Sequence, residues 1–81
     1  MINQRIQSNH KNEIGEIIPH IVQTACAFHS SIIFEVAEKR VNAKSIMGVM
    51  ALASQNIRDI VVCVEGSDEE EAFKAITGLL Q

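Results

Sequence analysis

Residues 58–65, RDIVVCVE, most constrain what this chain can fold into. Ile60, Val62 and Val64 recur at every second position, so an extended strand places all three on one face. A strand with one apolar face requires neighbouring strands beside it and a second layer over that face. Residues 31–36, SIIFEV, alternate in the same way: Ile32, Phe34 and Val36 point one way, Ile33 and Glu35 the other. A short turn at residues 37–39 leads into a brief strand at 40–42, a hairpin without the usual glycine. Residues 2–8 carry Ile2 and Ile6 among polar side chains and read as a weaker strand.

Between these strands the period lengthens. Ile17, Ile21, Ala25 and Phe28, flanked by Ile18 and Val22, form a stripe that predicts a helix over 17–28. Pro19 then belongs in its first turn, where a missing N–H matters least. Polar residues 9–16 read as a loop. Ser45 is suited to N-cap a short helix carrying Ile46, Met47, Val49, Met50 and Leu52. That helix is apolar nearly all round, so it is either buried on several sides or partly an exposed patch. One of Met47 and Met50 is expected in the core. Ser67 and Glu70 have the spacing of a capping box, and Asp68 to Glu71 place negative charge in the first turn of a last helix. Phe73, Ile76 and Leu80 give that helix its apolar stripe. The order β-α-β-β-α-β-α predicts a two-layer α+β sandwich, with helices on one sheet face. The other face would show Ile33, Val61 and Cys63, apolar enough to suggest cover by a partner or a weak homodimer.

At 81 residues the chain is expected to be one domain spanning 1–81. A chain of this size buries only roughly 60% of its unfolded surface. It has room for a core but not for a deep enclosed active site as well. A binding module or carrier that other proteins recognise and modify fits better than an enzyme, and no cofactor is implied. Net charge is -3 and the seven basic residues are scattered, which argues against direct nucleic-acid binding. Cys26 and Cys63 lie far apart and fit neither a zinc ribbon nor a disulfide scaffold. Cys26 and His29 are one turn apart, but two ligands are too few for a metal site. His10 and His20 read as surface histidines. No apolar run is long enough to span a membrane, and the N-terminus lacks the pattern of a signal peptide; the expected location is the cytoplasm.

The segment at 41–50, VNAKSIMGVM, closely resembles the second-helix region of HPr, the phosphocarrier family of the bacterial sugar phosphotransferase system. Val22-Gln23-Thr24-Ala25 is similar to the end of the HPr first helix. Residues 65–72, EGSDEEEA, are similar to the approach to its last helix. The resemblance implies the HPr-like open-faced sandwich: a four-stranded antiparallel sheet with three helices on one face. The chain departs from the family at the carrier site. HPr carries phosphate on the histidine of a G-[IL]-H-A-R-P motif at the start of its first helix. Aligned through Gln23-Thr24-Ala25, the histidine position here is Ile14 and the arginine position is Glu16. Isoleucine cannot accept a phosphoryl group, and Glu16 would repel one. The regulatory serine of the K-S-I-M-G segment is present as Ser45.

By this resemblance the chain is closest in type to catabolite repression HPr, the paralogue that lacks the histidine. Ser45 is then the phosphorylation site, with Lys44, Ile46, Met47 and Met50 as partner contacts. The implied partners are a serine kinase of the HPr type and a transcriptional regulator of carbon catabolite repression. Two alternatives remain open: a divergent interaction domain with no phosphorylation, and a phosphoryl carrier that uses His20.

Overall fold

The computed structural model describes residues 1–7, 14–53 and 59–80, with residues 14–16 and 53 described by their backbone alone. The elements are β1 (Ile2–Gln7), α1 (Ile14–Cys26), β2 (Ser31–Val36), β3 (Lys39–Asn42), α2 (Ile46–Ala53), β4 (Asp59–Glu65) and α3 (Glu69–Leu80). The strands form one sheet in the order β1-β4-β2-β3, every neighbouring pair antiparallel. The three helices cover one face, giving the expected open-faced sandwich.

The alternation read from the sequence sets the register. Ile2, Val64 and Ile32 form one cross-strand row, and Gln4, Val62, Phe34 and Val41 the next. Ile32, Phe34, Ile60, Val62 and Val64 are buried beneath the helices. Ile21 and Ala25 of α1, Val49 and Leu52 of α2, and Ala72, Ile76 and Leu80 of α3 close the core from above. The outer face carries the rows Asn3, Cys63, Ile33, Asn42 and Arg5, Val61, Glu35, Arg40. Ile33 and Val61 are half-buried there. Cys63 is not on show as expected: flanked in register by Asn3 and Ile33, it is only 7% exposed. Burial pushes its thiol pKa up.

Four local expectations are corrected. First, α1 begins at Ile14 and ends at Cys26, so Pro19 lies inside the helix. Its missing N–H removes the i→i−4 bond to the Gly15 carbonyl, a loss of one bond near the helix start. The predicted end at Phe28 reflects a tightened continuation, in which the Ala27 and Phe28 N–H groups donate to Thr24 and Ala25 carbonyls at 3.1 and 3.3 Å. Second, Lys39 belongs to β3, and the turn is Ala37–Glu38, with Ala37 at φ 55° where a glycine is absent. Third, the N-cap of α3 is Asp68 rather than Ser67. The Ala72 N–H donates to the Asp68 carbonyl at 2.9 Å, and Ser67 lies outside the helix. Fourth, Met47 and Met50 both lie outside the core, because Val49 and Leu52 take the buried side of α2. Residue 8, the loop residues 9–13 and His10 lie outside the described residues.

Candidate functional site

The start of α2 is built by a chain of local hydrogen bonds. The Asn42 carbonyl accepts the Ser45 N–H at 2.9 Å, and Asn42 Oδ1 accepts the Lys44 N–H at 2.8 Å. These bonds turn the chain out of β3 and present Ser45 as the N-cap. Its carbonyl takes the Val49 N–H at 3.0 Å, and its Oγ takes the Gly48 N–H at 3.2 Å. Ser45 is exposed, so its hydroxyl faces solvent while it caps the helix. Gly48 lies close enough that an added Cβ would meet Val41 Cβ at 3.2 Å and Ser45 Oγ at 3.5 Å.

No residue of α2, IMGVMALA, carries a charge, and its first turn has no acid to satisfy the positive end of its dipole. Three large apolar side chains stand open beside Ser45: Ile46 is 49% exposed, Met47 78% and Met50 54%. Apolar side chains exposed side by side in this way are a common mark of an interaction surface. Lys44 behaves differently. Its ammonium Nζ donates to the Phe28 carbonyl at 2.9 Å, so it seals the end of α1. Cys26 Sγ, at the same end of α1, approaches the Lys44 carbonyl at 3.8 Å.

A second polar cluster joins α3 to the turn between α1 and β2. Asp68 accepts the His29 and Ser30 N–H groups, both at 2.9 Å, and also the hydroxyl of Ser30, which is fully buried. That hydroxyl, followed by the His29 N–H, holds the Asp68 carboxyl down to about 2. Gly66 is required beside it. At φ +155° an added Cβ would lie 2.6 Å from Ser30 Cα. Neither the Asp68 clamp nor the Lys44 seal was found by sequence reasoning, because each joins residues far apart in the chain.

The remaining candidates are scattered. His20 is exposed on α1. Ile14 and Glu16 lie in the first turn of α1, and their side chains are outside the described ones. Among the described residues no three His, Cys, Asp or Glu side chains group as a metal site. No helix among them is long and apolar enough to cross a membrane.

These features together describe a small sandwich with a capped, exposed serine at the start of its second helix. A family model described as the PTS HPr component phosphorylation site matches residues 17–81. The chain belongs to the HPr family of the phosphotransferase system, a family of phosphocarrier proteins. Among solved structures, the phosphocarrier protein HPr of Bacillus anthracis str. Ames is 41% identical. That match covers 99% of this chain and 96% of that one, at a TM-score of 0.89. HPr-C-His from Thermoanaerobacter tengcongensis is 40% identical over 99% of this chain and 91% of that one, at 0.85. Crh, the catabolite repression HPr of Bacillus subtilis, is 33% identical over 99% and 96%, at 0.69.

Proposed function

We propose that this chain is a regulatory member of the HPr family, phosphorylated on Ser45 and then recognised by another protein. The observation that carries this reading is the exposed Ser45 hydroxyl at the N-cap of α2, beside exposed Ile46, Met47 and Met50. The chain is here a substrate and a ligand, not a catalyst. A serine kinase of the HPr type removes the Oγ proton, Oγ bonds to the γ-phosphorus of ATP, and ADP leaves. The product carries about -1.5 to -2 charge beside free helix N–H groups, a placement the dipole favours. A partner with a cationic pocket and an apolar rim then reads both the charge and the patch, as a transcriptional regulator of carbon catabolite repression would. All of this takes place in the bacterial cytoplasm.

Similarity to Crh supports the reading. So does the carrier position: Ile14 has no atom that can hold a phosphoryl group, so the family's histidine chemistry has no acceptor there. The test is a fluorescence titration of the regulator with both forms of the chain. The phosphorylated form is expected to bind at least tenfold more tightly; equal affinities overturn the proposal.

A further inference from the structure

The peptide group between Phe28 and His29 is gripped from both sides. Its carbonyl takes the Lys44 ammonium at 2.9 Å, and its N–H goes to the Asp68 carboxylate at 2.9 Å. A cation and an anion thus face each other through one polarised peptide unit, each strengthening the other's hydrogen bond. The bridge joins the residue before Ser45 to the N-cap of α3, and so ties all three helix ends together. The Lys44 end is the weaker one. Asp68 makes further bonds to the Ser30 N–H and hydroxyl, whereas the Lys44 ammonium is held by a neutral carbonyl. Among the described residues no carboxylate forms an ion pair with Lys44, and the first turn of α2 has no acid to offer one.

We propose that Lys44 is a two-position ammonium, bound to the Phe28 carbonyl when Ser45 is unmodified and moved onto the phosphate when Ser45 carries one. The movement opens the bridge across the 28–29 peptide and loosens the junction of α1, β2 and α3. The inference rests on the reading of Ser45 as the modified residue. Its physical basis is Coulombic: the ammonium meets a full charge of about -1.5 to -2 on the phosphate, and only the dipole of a neutral carbonyl at Phe28. The stem of Lys44 is flexible, and its backbone adjoins Ser45. Modification at the surface patch is thereby reported at the far end of α1.

Phosphoserine encoded genetically at position 45 tests the device without any kinase, and incubation with the kinase tests the Ser45 reading separately. Carbon and nitrogen resonances of the 28–29 peptide are compared in the unmodified and phosphoserine proteins, with Lys44→Met as reference. The phosphoserine protein is expected to shift the Phe28 carbonyl and His29 amide toward their values in unmodified Lys44→Met. Exchange of the His29 amide is expected to speed up severalfold. In Lys44→Met, phosphoserine should add no further shift at Phe28 or His29, and the phosphorus-31 titration midpoint should rise by about half a unit as the cation is lost. Unchanged Phe28 and His29 signals in the phosphoserine protein, alongside shifted Ser45 and Gly48 amides, overturn the proposal. Should Lys44→Met fail to fold, the comparison of unmodified and phosphoserine wild type decides by itself. A kinase that adds no phosphate overturns the Ser45 reading and leaves the result with encoded phosphoserine standing.

Discussion

Substitution at Ser45 separates its capping role from its charge-accepting role. Ser45→Ala removes the oxygen that accepts the Gly48 N–H at 3.2 Å. Losing such a cap costs about 0.5–2 kcal/mol. Ser45 is exposed, so water can take over the freed N–H, and the lower half of that range applies, about 0.5–1 kcal/mol. With an unfolding entropy of about 0.17 kcal/mol/K for a chain of this length, Tm falls by about 3–6 °C. Ser45→Asp keeps an acceptor at the cap and adds a negative charge where the first turn of α2 has none. The dipole favours that charge by about 0.3–1 kcal/mol. The aspartate variant should therefore melt at or above the wild type, and about 5–12 °C above the alanine variant. Parallel thermal unfolding followed by circular dichroism reads all three. Salt near 1 M should shrink the aspartate advantage, because the exposed charge is screened, while leaving the alanine loss in place. An alanine variant as stable as wild type would show that Ser45 does not cap α2. An aspartate variant as unstable as alanine would show that the helix start does not favour an anion.

Further expectations follow from neighbouring residues. Met50→Asp should leave stability within about 1 kcal/mol, because the side chain is 54% exposed, yet weaken binding of the phosphorylated chain to a regulator of the proposed kind about tenfold; an unfolded variant or unchanged affinity contradicts this. Gly66→Ala should cost about 2–4 kcal/mol in urea unfolding, because its Cβ would press on Ser30 at a backbone angle that favours glycine; a loss below about 1 kcal/mol would show that the turn can relax. The Asp68 carboxyl sits at about 2 when folded, below its ordinary value of 3.8. It therefore contributes stability that is present above the ordinary value and lost as pH falls from near 4 toward 2. Tm should decline across that window in wild type and less steeply in Asp68→Asn; parallel slopes would refute the assignment.

How much could be read from the sequence depended on whether the deciding contact was local. β2 and β4 were legible because period-two alternation is a property of each strand alone; Ile32, Phe34, Ile60, Val62 and Val64 are buried as read, Val36 only partly, and Cys63 is buried on the opposite face. Ser45 was legible as a cap because its partner, Gly48, is three residues away. The start of α1 was not, because Pro19 matches a first-turn residue and nothing local shows that a further turn precedes it. Ser67 and Glu70 have capping-box spacing, yet Asp68 takes the cap, and its side chain is held by residues 38 and 39 positions away. The exposure of Met47 and Met50 was ambiguous because α2 has no polar side chain to mark its solvent side. Lys44 matched a surface contact residue, and only the fold reveals that its ammonium turns inward to Phe28.

The most direct test of the central claim is intact-mass measurement after two parallel incubations. One contains a serine kinase of the HPr type with ATP; the other contains enzyme I with phosphoenolpyruvate. A histidine-containing HPr serves as a control in both. The wild-type chain should gain one phosphate from the kinase, Ser45→Ala should gain none, and neither should gain an acid-labile phosphate from enzyme I. A wild-type chain left unmodified by a kinase that modifies the control, or phosphate appearing on His20, would contradict the account.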